Sequence, residues 1–142
     1  MVTEDCVCCG VAKLLKEKGF NEKTYCYYTL EGEIRESLGS APWNNSICET
    51  SPICAPTIQM ATKWLRKEHK CILTPSWEFT ERDENGSVVF DSIRWSCEIV
   101  QLKPYNDGNT DRNFFMHVQR GNFTSPEEAI EDGIKYCLEN LV

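Results

Sequence analysis

Nine cysteines give this 142-residue chain its widest chemical reach: Cys6, Cys8, Cys9, Cys26, Cys48, Cys54, Cys71, Cys97 and Cys137. An odd count cannot close fully into intrachain disulfides. Zinc needs about four soft ligands, usually in two close pairs. Cys6, Cys8 and Cys9 form the candidate metal cluster. Neither they nor Cys48 with Cys54 have the CxxC spacing that lets two thiolates grip one ion from a tight turn. The sequence is therefore read as having no metal and no cofactor, with Cys26, Cys71, Cys97 and Cys137 as small buried hydrophobes. Nucleophilic catalysis needs a thiol or hydroxyl beside a base. The histidines are His69 and His117. Cys97 and His117, on neighbouring predicted strands, are the catalytic candidates in a chain otherwise read as non-enzymatic. Asp107, Asn109 and Asp111 alternate as in a calcium loop. The EF-hand wants Gly and Glu where Arg112 and Val118 stand, so the stretch reads as a turn. There is no phosphate loop, dinucleotide fingerprint or paired-carboxylate signature.

Aromatic residues are the larger surplus. Tyr25, Tyr27, Tyr28, Trp43, Trp64, Trp77, Trp95, Phe114 and Phe115 exceed what one small core hides. Tyr and Trp clustered at a surface serve a ligand pocket or a protein interface. Tyr25, Tyr27, Tyr28, Trp43, Trp77 and Trp95 are the binding candidates. At 41% hydrophobic and 26% charged, the chain has globular composition. No apolar run reaches the ~18 residues of a membrane span. With 15 Lys and Arg against 22 Asp and Glu, the net charge of −7 argues against nucleic acid and anionic lipid as partners. The start MVTEDCVCCG is acidic where a secretory leader is basic, so a reducing cytoplasm is expected.

The elements that must position these residues follow from periodicity. Residues 3–18 predict a helix capped by Thr3, with Val7, Val11, Leu14 and Leu15 as its stripe and Gly19 at its left-handed end. Residues 24–30 read as a strand and 31–53 as an irregular stretch. Residues 56–69 predict a second helix with Pro56 at its first position, and a basic outer face of Lys63, Arg66, Lys67 and Lys70. Residues 71–80 predict a strand, at an edge or bulged because Pro75 lacks a ladder donor. Asn85-Gly86 predicts a type I′ hairpin turn. Residues 88–102 alternate, with Val89, Ile93, Trp95, Cys97 and Ile99 opposed to Ser92, Arg94, Ser96 and Glu98. Residues 113–120 predict the next strand. Ser125, Pro126 and Glu128 predict a capping box opening the last helix, whose stripe is Ile130, Ile134, Cys137, Leu138 and Leu141.

The expected fold is α+β: an antiparallel three- to four-stranded sheet with helices packed on it, in the order α-β-(loop)-α-β-β-β-α. One domain over 1–142 is expected, with a helix–strand arm 1–30, an irregular loop 31–55 and an α-β-β-β-α core 56–142. That core has the element order of a double-stranded-RNA-binding domain. Glu127 and Glu128 stand where such domains carry phosphate-binding lysines, which argues against RNA.

Three pieces carry a resemblance: Leu14-Leu15-Lys16-Glu17-Lys18-Gly19-Phe20, Ala55-Pro56-Thr57 running into Met60-Ala61-Thr62-Lys63-Trp64-Leu65-Arg66, and Ser125-Pro126-Glu127-Glu128-Ala129 followed by Gly133-Ile134. They resemble small uncharacterised proteins of gut Bacteroidales and their phages. The resemblance implies a phage or prophage origin and a bacterial cytoplasm, and carries no activity. The expectation is a small accessory protein acting as a non-enzymatic interaction module for a host or phage protein or a small ligand. The alternatives are a cysteine- or metal-dependent enzyme and a self-associating structural phage protein.

Overall fold

The computed structural model describes residues 6–36, 53–104 and 113–142. Thr3, the stretch 37–52 with Trp43 and Cys48, and 105–112 with Asp107, Asn109 and Asp111 lie outside them. So do the side chains of 103–104 and 113–117, that of His117 included. The elements are α1 (Cys9–Glu17), β1 (Cys26–Tyr28), β2 (Ile34–Glu36), β3 (Ile53–Cys54), α2 (Ile58–His69), β4 (Cys71–Glu78), a single 3-10 turn (Phe90–Ser92), β5 (Arg94–Pro104), β6 (Asn113–Phe123) and α3 (Pro126–Asn140). The fold is α+β, with helices packed on antiparallel sheets. Among the described residues no helix is long and apolar enough to cross a membrane.

β4, β5 and β6 form a meander, and α2 and α3 cover one of its faces. The alternation expected of 88–102 holds through β5: Cys97, Ile99 and Gln101 are buried beneath the helices, while Arg94, Ser96 and Glu98 alternate with them. It fails before β5, where Phe90–Ser92 turns. Ser92, expected to point outward, is buried there, donating to the Val89 carbonyl (2.7 Å) and accepting from Glu81 N–H (3.2 Å). Pro75 lies mid-strand opposite Cys97 on the edge strand β4, where its missing donor costs no ladder bond.

The sheet's irregularity lies instead between β5 and β6. Trp95 pairs with Phe123 and Cys97 with Arg120, so β6 uses three steps where β5 uses two. Asn122 absorbs the extra residue at φ 78°. This bulge brings Phe123 into register with Trp95.

β1 does not extend the main sheet. It pairs with β2 on one side and β3 on the other, so the stretch expected to be irregular supplies two strands. α1 packs on α3 and β3. It starts later than the sequence predicts, because Cys6 and Val7 are taken into extended pairing: Cys6 bridges Thr57, and Val7 N–H donates to the Pro56 carbonyl (2.9 Å). Cys8 becomes the N-cap without a capping side chain. Its N–H donates to Glu131 Oε1 of α3 (2.6 Å), so another helix supplies the carboxylate this N-terminus lacks. At the other end Gly19 (φ 95°) and Phe20 donate to the Lys16 and Leu15 carbonyls, a Schellman ending. Phe20 folds back, fully buried, edge-on to Trp64 at 5.5 Å.

α2 begins after Thr57, whose hydroxyl accepts from Met60 N–H (3.1 Å), so Pro56 precedes the cap and is not the first helical residue. α3 opens on Ser125 and Pro126 as expected, with Ser125 Oγ accepting from Glu128 N–H (3.2 Å). The Glu128 carboxylate is engaged by the Thr124 hydroxyl (3.0 Å). The Asn85-Gly86 turn is not type I′, since only Gly86 takes positive φ (83°). Asp83 organises it: Gly86 N–H donates to its carbonyl (3.0 Å), and its Oδ1 accepts from Asn85 and Ser87 N–H (2.9 Å each).

Candidate functional site

Trp77 stands opposite Trp95, and Trp95 opposite Phe123, so three aromatic residues lie on one rung across the meander. The rung belongs to the helix-covered face, which Leu73 and Cys97 also share. It lies beyond the stretch of sheet over which Gly133 of α3 reaches Leu73 and Cys97. Its inner members are held: Trp95 and Phe123 are half-buried and pack against the core. Its outer member is not, and Trp77 is 56% exposed. The Phe79 ring lies 6.4 Å from Trp77, and the Arg82 guanidinium sits over Phe79 at 4.6 Å. Phe90, on the 3-10 turn, is 83% exposed. Burying a large ring is worth about 1.5–3 kcal/mol, so leaving Trp77 and Phe90 open forgoes stability that folding alone would favour keeping.

Both covering helices start at this end of the sheet. α2 joins β4 through Lys70 alone and runs back along it, and α3 leaves β6 just past Phe123. Between their first turns lies a groove of about 300 Å³ lined by Thr57, Ile58, Gln59, Pro126, Glu127 and Ile130. Thr57 and Ser125 already cap the two helices, and Glu127 makes the lip acidic, so the groove is not built for an anion.

The remaining binding candidates fall elsewhere. Tyr25, Tyr27 and Tyr28 belong to the small-sheet region and are not members of the rung. Tyr25 is 53% exposed, Tyr27 is half-buried, and Tyr28 is buried with its hydroxyl donating to the Val7 carbonyl (2.6 Å). Burial, and then the neighbouring thiols Cys8, Cys6 and Cys9, push the Tyr28 phenol up to about 12. Tyr28 is thus a core strut. Trp43 lies outside the described residues.

Cys6, Cys8 and Cys9 do not line one helix face. Cys6 is buried in the extended pairing, Cys8 is exposed at the N-cap, and Cys9 is half-buried at the first helical position. Among the described residues no group of three His, Cys, Asp or Glu side chains converges on a metal position, and no disulfide joins two described cysteines. Cys97 is fully buried against α3, and desolvation pushes its thiol up to about 11. In the ladder Cys97 stands opposite Arg120 and His117 opposite Val100, so the two are not register partners.

Sequence reasoning misses Phe79, Phe90 and Phe123 as parts of this surface. Phe123 lies past the predicted end of its strand, and Phe90 falls in a stretch whose alternation predicts a strand. No family model, curated protein or solved structure matches the chain.

Proposed function

We propose that this protein is a non-enzymatic binding module, and that it recognises a partner with the aromatic end of the meander: Trp77 and Phe90 as open rings, Phe79, Trp95 and Phe123 as their support. The observation that carries the reading is Trp77, 56% exposed although it stands on the helix-covered face directly opposite Trp95. Trp is the residue type most often found at the energetic centre of interfaces. A rigid sheet holds it in place at little entropic cost. A catalytic role for Cys97 draws no support from a fully buried thiol whose ionisation burial opposes. The resemblance to phage and prophage proteins fits a small accessory protein whose partner is a host or phage protein. A reducing bacterial cytoplasm suits a chain with nine cysteines.

The test is photo-crosslinking in the bacterial cell, with a light-activated side chain at position 77 or, as control, at exposed Lys63 of α2. A discrete product from position 77 alone supports the reading. A product at twice the chain's own mass assigns the surface to self-association. No product from position 77, or the same products from both positions, removes the reading.

A further inference from the structure

We infer that the occupant of this surface is a basic segment of a partner protein, one that lays Lys or Arg side chains across Trp77. The inference rests on the binding reading above and names the partner's chemistry.

The hairpin end that carries Trp77 also carries five carboxylates, Glu78, Glu81, Asp83, Glu84 and Asp91, against two guanidiniums, Arg82 and Arg94. Both guanidiniums are committed within the hairpin. Arg82 stacks on Phe79 and donates to the Gly86 carbonyl (2.7 Å). Arg94 donates to the carbonyls of Asp91 (2.8 Å) and Ile93 (2.9 Å). Asp83 is committed too, because its carboxylate organises the turn. Glu78, Glu81, Glu84 and Asp91 remain, all exposed and without an ion pair among the described residues, although Arg94 stands opposite Glu78 in the ladder.

Each class of occupant then meets a different balance. A phosphate backbone or an acidic peptide is repelled by the unpaired carboxylates. A neutral apolar segment would cover Trp77 but strip water from those carboxylates with nothing in return. A basic segment satisfies both features at once. Its cations neutralise the carboxylates, and a guanidinium or ammonium on the face of an exposed Trp gains a cation–π contact while its methylenes cover the ring. Recognition runs through side chains, because Pro75 interrupts the donors along the outer edge of β4 and spoils it as a template for an added strand.

The experiment uses the full chain and a fluorescent oligo-arginine peptide at low salt, read by anisotropy. Three proteins are compared with the native chain: Trp77→Ala; the triple variant E78Q/E81Q/D91N; and the triple variant E17Q/E22Q/E68Q, which removes as many charges around α1 and α2. Glu22 and Glu68 line a separate cleft beside His69, at the far end of the sheet. Circular dichroism verifies that each variant folds. The first triple variant is expected to weaken binding about tenfold, the distant one less than about twofold, because separation beyond a Debye length screens its charges. Trp77→Ala, with charge unchanged, is expected to weaken binding about threefold. Equal losses from both triple variants, an unaffected Trp77→Ala, or tighter binding of oligo-glutamate would overturn the inference. Crosslinks from position 77 that map to an acidic or neutral segment, or to a second copy, overturn it and leave the binding reading in place; an absence of crosslinks removes that reading itself.

Discussion

Gly133 of α3 crosses Cys97 of β5 so closely that a β-carbon on the glycine would lie 2.6 Å from Cys97 Sγ and 3.3 Å from its Cβ. Rotating the sulfur away does not clear the site, because Leu73 Cδ2 stands 3.0 Å from the same point. Ala is the better helix former by about 1 kcal/mol, yet overpacking a close-packed core costs about 1–3 kcal/mol, so the overlap outweighs propensity. Gly133→Ala is therefore expected to destabilise the protein by up to about 2 kcal/mol in urea unfolding. Cys97→Ala added to Gly133→Ala should recover part of that loss, although Cys97→Ala alone opens a small void. Additive effects would show that the two residues do not share the strain.

Gln101 ties the C-terminal ends of two helices. Its Nε2 donates to the carbonyls of His69 (3.2 Å) and Leu141 (3.0 Å), and its Oε1 is buried without a hydrogen-bond partner. Gln101→Leu removes both donors but also the orphaned acceptor, for an expected cost of about 1–3 kcal/mol. Gln101→Glu sets carboxylate oxygens against two carbonyls in a dry site and should cost more, about 3–5 kcal/mol at neutral pH. Burial raises the pKa of the new carboxyl in the folded state. Its penalty relative to the native chain is thus smallest at low pH, where one of the two donors is still lost, and grows as pH rises. Thermal melts at pH 4 and pH 7 check the sign; a pH-independent penalty would show that the introduced carboxyl ionises as readily in the fold as in the unfolded chain.

Alkaline pH should reach Tyr28 after the buried Cys97 thiol, whose raised value of about 11 lies lower. Its phenol is raised to about 12 by burial and by neighbouring thiols. Because the folded value lies above the unfolded one, the stabilisation is complete below the ordinary tyrosine value of about 10. It is lost as pH climbs from there through about 12. Tyr28→Phe is expected to cost about 1 kcal/mol at neutral pH, through the lost bond to the Val7 carbonyl, and to shed less stability than the native chain above pH 10. Parallel denaturation curves across that range would refute the assignment.

Thiol labelling should sort the cysteines by place. Cys8 is exposed, but partial desolvation and its hydrogen bond to Glu131 raise its pKa, so it is expected to alkylate in the native protein more slowly than a free thiol. Glu131→Gln should speed that reaction. Cys71, Cys97 and Cys137, fully buried, should label only on global unfolding, which mass spectrometry of pulse-alkylated peptides resolves. Rapid native labelling of Cys97 would reopen the question of its reactivity.

Where patterns are local and strong, the sequence is enough. The alternation within β5, the Ser125-Pro126 opening of α3 and the Gly19-Phe20 ending of α1 depend on near neighbours and are as expected, whereas the alternation predicted from residue 88 gives way to a turn before Arg94. Long-range partners overrule the rest. The extended run of Cys6 and Val7 is set by Pro56 and Thr57, residues some fifty positions away. The strands flanking residues 37–52 are too short to show a period and exist because β1 offers two open edges. Of the candidate surface, Trp77 and Trp95 are legible as strand aromatics. Their common rung with Phe123 is not, because register depends on how many residues the bulge takes up.

That bulge has a consequence for how the surface could change over generations. The extra residue at Asn122 sets the alternation of everything that follows it in β6. Deleting one residue at Gly121 or Asn122 would match β6 to β5 step for step, removing the bulge while keeping Phe123 opposite Trp95 on the same side of the strand. A single-codon loss there would therefore spare the rung that a mutation of its rings erases.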